Sequence, residues 1–193
     1  MRRVLSPDER RAELLAASRS VFAEQGYHAS GIGDITRSVG CSRGTFYNYF
    51  DSKRDVFGSV LADIMGEVVA VIRPIDVSQS IGPQVRENVT RLVRAIMTQD
   101  ILRILFAEAS GIDSECDEAL REFYAGATER IERALREGQQ LGVVRPGDTR
   151  VLARCLLGLL KEPVFQAHLF SEPLDPEDLV QQVLAVISEG ILR

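Results

Sequence analysis

The stretch Gly40-Cys41-Ser42-Arg43-Gly44-Thr45-Phe46-Tyr47-Asn48-Tyr49-Phe50-Asp51-Ser52-Lys53 has the order of a turn, a short helix and the start of another helix. Ahead of it, Ile32, Ile35 and Val39 stand at helical spacing, and Gly40 follows directly. A glycine just past a helix supplies a left-handed cap without a Cβ penalty. Cys41 is then a small buried apolar plug, and Ser42 is a good N-cap for the next helix. Helix, glycine turn and capped second helix make the helix-turn-helix pattern, whose second helix lies in the major groove of DNA.

At about 100° per residue the faces of that second helix can be sorted. Phe46 and Phe50 share the core face, while Gly44 and Asn48 point away from it. Thr45 and Tyr47 border the outward face. Arg43 and Tyr49 lie nearer the phenylalanines but are long enough to reach out. Asn, Thr and Arg read base edges, and Tyr hydroxyls bind phosphate. Gly44 lets the backbone approach a groove closely.

Charge supplies a further sign. Ser52 with Asp55 three residues on makes a capping-box pattern. Lys53 and Arg54 then fall in the first turn, where the helix dipole disfavours cations. A DNA phosphate resolves that conflict, since free N–H groups, the dipole and a lysine would all address one anion. Spacing alone leaves a plainer reading open, with the aromatic residues as core and the cations as a solvated helix start.

Residues 10–57 resemble the DNA-binding domain of TetR-family transcriptional regulators. The likeness is carried by Leu14-Leu15-Ala16-Ala17-Ser18, by Val21-Phe22-Ala23-Glu24-Gln25-Gly26-Tyr27, by Ile32-Gly33-Asp34-Ile35, and most specifically by Gly40 to Phe50 with Ser52-Lys53. The resemblance implies an all-α chain. Residues 1–52 would form a three-helix DNA-binding domain, and residues 53–193 a connecting helix with a helical effector-binding and dimerisation domain. Carried over by position, Arg43, Gly44, Thr45 and Asn48 face bases, and Tyr47, Tyr49 and Lys53 hold the DNA backbone. Ser30 and Thr36 add phosphate contacts, and Ser42 at the helix start completes the DNA-binding set. Gly31 and Gly33 depart from the family, which more often has a hydroxyl residue and a larger side chain there. Glycine in a helix costs about 1 kcal/mol relative to alanine, so this helix is expected to fray without DNA.

The chain has 193 residues and a net charge of −5. That charge is unevenly spread. Residues 1–55 carry nine Lys/Arg and seven Asp/Glu, a balance of +2, which leaves fourteen and twenty-one, a balance of −7, for residues 56–193. The electrostatic footprint for DNA therefore belongs to the N-terminal end. No apolar run approaches the roughly 18 residues that span a bilayer. Met1-Arg2-Arg3 leads into no apolar stretch of signal-peptide length. A cytoplasmic protein without a membrane partner is expected. Cys41, Cys116 and Cys155 are too widely spaced to suggest a disulfide framework, and His28 and His168 lack neighbours at metal-ligand spacing. No metal or cofactor is proposed.

Pro7, Asp8 and Glu9 suit a helix start, and Gly26 ends that helix. Helix four is expected over 53–72, its apolar positions continuing past the first domain, so that one element serves both domains and can couple them. Further helices are expected at about 83–98, 100–111, 114–140, 149–170 and 177–191. Pro163 should kink or break the fourth of these. The last two carry broad apolar faces, with Leu152, Cys155, Leu156 and Leu159 on one and Leu179, Val183 and Ile187 on the other. Such faces either bury within one chain or pair across a two-fold axis as a four-helix bundle; the family resemblance favours the second. Met65, Leu105, Phe106, Phe123, Tyr124 and Leu160 could line an apolar effector pocket, with Glu108 or Glu162 as polar anchor.

These observations point to a ligand-responsive DNA-binding regulator, a repressor that binds a near-palindromic operator as a homodimer and is released by a small, mostly hydrophobic effector. No Gly-rich phosphate loop, paired metal ligands or Gly-x-Ser-x-Gly elbow supports an enzyme. A helical small-molecule carrier with a vestigial N-terminal domain is the other rival; it would show no DNA phenotype.

Overall fold

The computed structural model describes residues 5–106 and 114–191. Among the described residues the chain is helical throughout: α1 (Pro7–Gln25), α2 (Ile32–Val39), α3 (Arg43–Tyr47), α4 (Lys53–Ala70), α5 (Ile81–Ile96), α6 (Gln99–Phe106), α7 (Ser114–Gln140), α8 (Thr149–Phe170) and α9 (Pro176–Gly190). The all-α expectation holds. No helix among the described residues is long and apolar enough to cross a membrane.

Helix starts follow their caps. The Ser6 N–H donates to Glu9 Oε2 at 2.8 Å and the Glu9 N–H donates to Ser6 Oγ at 3.2 Å. This reciprocal box fixes the entry to α1, with Pro7 in its first turn. The expectation rested on Pro7 to Glu9 and overlooked the Ser-x-x-Glu signature. Asp148 and Asp175 cap α8 and α9 by accepting backbone N–H bonds from the first turn of each. Gly26 closes α1 at φ 77°.

The chain divides into two compact units, Met1–Ile64 with Gln99–Arg121, and Met65–Thr98 with Glu122–Arg193. The division falls inside α4, not at its start. The physical reason is the apolar face of the first half of α4: Val56, Phe57, Val60, Leu61 and Ile64 are all buried. In this first unit α6 lies against α1, with Ile101 and Ile104 buried, and the Arg19 guanidinium reaches both Asp100 on α6 (2.7 Å) and Asp63 on α4 (3.8 Å). The core is aromatic: Phe22, Tyr27 and Phe57 meet at ring-centre distances of 4.7–5.8 Å. Each such side chain contributes about 1.5–3 kcal/mol by leaving water. Ser18 is fully buried and its hydroxyl donates to the Leu14 carbonyl (2.7 Å), so its polarity is satisfied within α1.

In the second unit α5 and α8 pack on α9. Val89 and Val93 of α5, Val164 of α8 and Leu179, Val180, Val183 and Leu184 of α9 are buried. Pro163 does not break α8, which runs through it from Thr149 to Phe170. At one end Leu135, Val144, Ala153 and Ile191 form a small apolar cluster.

That cluster depends on a glycine. The Val143 and Val144 N–H groups both donate to the Gly138 carbonyl (3.0 and 3.1 Å). A Cβ on Gly138 would lie 2.6 Å from Val144 Cγ2. Gly138→Ala would gain about 1 kcal/mol of helix propensity but incur an overpacking cost of roughly 1–3 kcal/mol against a stiff valine. A net loss of about 1 kcal/mol is expected, read as a lower urea midpoint; a midpoint above that of the wild type would refute it.

Candidate nucleic-acid interface

The turn between α2 and α3 closes as expected from Gly40. Its backbone is left-handed (φ 63°, ψ 42°). The Gly40 N–H donates to the Arg37 carbonyl (3.2 Å) and the Cys41 N–H to the Thr36 carbonyl (2.9 Å), the paired bonds of a Schellman ending. Cys41 itself is half-buried, not the fully buried plug expected. Ser42 Oγ accepts the Thr45 N–H (3.1 Å) and shares a hydrogen bond with Thr45 Oγ1 (3.0 Å). The helix so started is only five residues long, with Asn48 as its C-cap.

Phe46 and Phe50 anchor this segment. Both are buried, with ring centres 5.6 Å apart. Arg43, Gly44 and Asn48 are exposed, Thr45 and Tyr49 are half-buried, and Tyr47 is 53% exposed. The Tyr47 ring is braced edge-on against Phe46 at 5.6 Å. The outward face sorted from helical spacing is therefore the solvent face.

Three expected phosphate contacts find other employment. Ser30 and Thr36 are each only 5% exposed. The Ser30 hydroxyl donates to the Tyr27 carbonyl (2.9 Å) and the Thr36 hydroxyl to the Gly33 carbonyl (3.3 Å). Both side chains are buried with their hydroxyls engaged within the protein. Lys53 is half-buried: its ammonium donates to the Tyr27 carbonyl (2.7 Å) and the Ser30 carbonyl (3.1 Å) and lies 4.1 Å from the Tyr27 ring centre. The misfit of a lysine in the first turn of α4 is thus relieved inside the protein, by carbonyls of the 27–30 loop. Arg54 pairs with Glu118 at the start of α7. Ser52 Oγ caps α4 by accepting the Asp55 N–H (3.0 Å), but the Asp55 carboxylate returns to the Asp51 N–H (2.9 Å), one residue before the position a capping box would use.

The glycines of α2 have a compensation that the sequence reading missed. Gly31 has no side chain to cap the helix. Asp34 supplies the bond in reverse, Oδ2 accepting the Gly31 N–H and Oδ1 accepting from Arg37 Nη1, both at 2.9 Å. The Gly31 hydrogen bond, then that of Arg37, then the charges of Arg37 and Arg43 hold the Asp34 carboxyl below its ordinary value.

The residues expected around an effector are less gathered. In the second unit the Phe123 and Tyr124 rings meet edge-on at 5.3 Å. Burial pushes the Tyr124 phenol up to about 12. Lys161 Nζ lies 4.9 Å from the Tyr124 ring centre. Met65 and Leu160 are half-buried. The side chains of Leu105 and Phe106, and the whole of Glu108, lie outside the described residues. Glu162 is not on this side: it accepts from Gln166 Nε2 (2.8 Å) and lines an open groove of about 670 Å³ with Cys155, Leu156, Leu159 and Pro163 of α8 and Val186 of α9. Four leucines in the span 156–160 make α8 apolar on several faces, so spacing could not assign its neighbour Glu162 to one side.

Residues 14–60 match the family model described as bacterial regulatory proteins, tetR family. The fatty acid metabolism regulator protein of Bacillus subtilis is 25% identical over 189 residues, covering 93% of this chain and 94% of that protein. A TetR-family transcriptional regulator structure from Syntrophomonas wolfei superposes with a TM-score of 0.81 at 22% identity, covering 96% of this chain and 97% of that one. The Bacillus subtilis regulator FadR in complex with stearoyl-CoA superposes with a TM-score of 0.79 at 22% identity, covering 93% and 98%. With the helix-turn-helix geometry in place, the match to the tetR family of bacterial regulatory proteins lies across it, over residues 14–60 of this chain.

Proposed function

We propose that the chain is a ligand-responsive repressor that binds a near-palindromic operator as a homodimer and releases it when an acyl thioester binds. One observation carries the reading: Arg43, Gly44, Tyr47 and Asn48 stand exposed on one face of α3 while Phe46 and Phe50 lock its other face into the core. A two-fold dimer would set two such helices in successive major grooves, with half-sites about 34–36 Å apart. The apolar groove of α8 and α9 suits a second copy of the same surface.

The effector class follows from chemistry and from kinship. Phe123, Tyr124, Leu160 and Met65 offer apolar surface to an acyl chain, and Lys161 beside Tyr124 offers a cation to the phosphates of its carrier. A relative is a fatty acid metabolism regulator, and a structural neighbour holds stearoyl-CoA. Release requires the effector to bind the non-DNA conformation better; α4, which contributes to both units, is the proposed lever.

The test is operator affinity measured with and without stearoyl-CoA, for the wild type and for Lys161→Met. Stearoyl-CoA is expected to weaken wild-type binding at least tenfold. Lys161→Met should need roughly tenfold more of it, the loss of one charge-assisted bond. Equal operator affinity with and without long-chain acyl thioesters would end the effector assignment.

A further inference from the structure

Two neighbouring residues of α2 bear on one side chain of α3, Gly33 by close approach and Asp34 by its charge. A Cβ built on Gly33 would lie 3.0 Å from Arg43 Nη2 and 3.8 Å from both Cζ and Nε. The guanidinium therefore rests along the flank that the glycine leaves bare. The next residue, Asp34, presents a carboxylate already ordered by the Gly31 N–H and by Arg37, and the Arg43 charge is among those that favour its ionised form. Arg43 remains exposed on the outward face of the helix-turn-helix. A free arginine side chain samples many rotamers. The bare flank of Gly33 lets the guanidinium lie against α2 before DNA arrives, and the Asp34 charge attracts it without a hydrogen bond or ion pair between them. The planar fork of arginine matches O6 and N7 of guanine in the major groove, so its starting pose bears directly on which base it meets.

We infer that Gly33 and Asp34 are positioning residues for Arg43, holding its guanidinium so that α3 reads a guanine at one position of each half-site. This rests on the proposed entry of α3 into the major groove. Base preference at that position is then a property of α2 and α3 together.

The experiment is selection of sites from random duplex DNA with the full-length protein, stripped of ligand by unfolding and refolding. The variants are Gly33→Ala, Gly33→Leu, Asp34→Asn, Arg43→Ala and the double Gly33→Leu/Arg43→Ala. Both Gly33 substitutions raise helix propensity, so α2 should fold; melting curves and circular dichroism check this. Gly33→Ala meets only the movable tip of Arg43 and should weaken the guanine preference about twofold. Gly33→Leu fills the flank and should weaken it roughly five- to a hundredfold, the discrimination of one bidentate contact. Asp34→Asn keeps an acceptor for the Gly31 N–H but removes the charge, and should fall between them. The supporting result is that these losses fall on the single position that Arg43→Ala flattens, and that Gly33→Leu adds nothing in the Arg43→Ala background.

Other outcomes overturn the inference in distinguishable ways. If Arg43→Ala flattens one position while Gly33→Leu and Asp34→Asn leave it sharp, positioning fails and the reading of α3 stands. If Gly33→Leu weakens every position equally, its effect is general damage to α2 and positioning fails. If the wild type enriches no sequence, or Arg43→Ala leaves all preferences intact, the major-groove reading fails and positioning falls with it.

Discussion

Val186→Arg is expected to convert the proposed dimer into a folded monomer that binds operator at least a hundredfold more weakly. Val186 is 51% exposed on α9, so the fold of the single chain asks little of it. It faces the open groove shared with Leu156, Leu159 and Pro163 of α8. Val151, Leu169 and Phe170 are further exposed apolar residues of α8; an exposed apolar groove is the kind of surface that marks an interaction site. A two-fold interface would bury the new arginine twice, near its own symmetry mate. An uncompensated charge taken from water costs several kcal/mol, enough to dissociate a dimer at micromolar concentration. Operator affinity should fall with it, because joining two half-site readers raises avidity by about 10²–10⁴. Sedimentation and operator titration read both effects. A Val186→Arg protein that still sediments as a dimer and still binds operator would show that this face of α8 and α9 is not where two copies meet.

What could be read from the sequence was local. Gly40 as a left-handed cap, Ser42 as an N-cap and the shared burial of Phe46 and Phe50 each depend on residues no more than four positions apart, and each is as expected. The helices follow from the same short-range signals, and α8 spans the expected 149–170. What could not be read was long-range or lay on faces without contrast. Lys53 finds its acceptors 23 and 26 residues earlier, and nothing in the spacing of a helix start announces a carbonyl so distant. Ser30 and Thr36 read as contact residues by position, and only the folded chain shows them buried. Asp34 as the substitute cap for Gly31 is a short-range feature, three residues away.

Lys53→Ala and Tyr47→Ala should separate two roles that the primary structure merges. Both residues read as grips on the DNA backbone, and substituting them together would look like a clean test of DNA binding. The Lys53 ammonium, however, holds the Tyr27 and Ser30 carbonyls and lies over the Tyr27 ring, which in turn packs at 4.7 Å on Phe57. Removing it takes the lysine donor from the Ser30 carbonyl, leaves the Tyr27 carbonyl with the Ser30 hydroxyl as donor, and unties that loop from α4. Hydrogen bonds to a charged group contribute about 1.5–3 kcal/mol each. The half-exposed setting of this lysine reduces that figure by solvent screening, so a loss of about 2 kcal/mol is expected. Tyr47 packs its ring edge-on against Phe46 and is more than half exposed, so Tyr47→Ala should change stability by less than about 0.5 kcal/mol while costing about tenfold in operator affinity. Lys53→Ala is accordingly expected to melt earlier and to bind operator poorly, and Tyr47→Ala to melt like the wild type and bind poorly. Melting paired with operator titration across a salt series distinguishes them, since loss of a lysine–phosphate contact lowers the salt slope by about one, whereas loss of a neutral tyrosine contact leaves it unchanged. If Lys53→Ala melts with the wild type and its salt slope falls by about one, the lysine belongs to the DNA backbone, and the 27–30 loop is held without it.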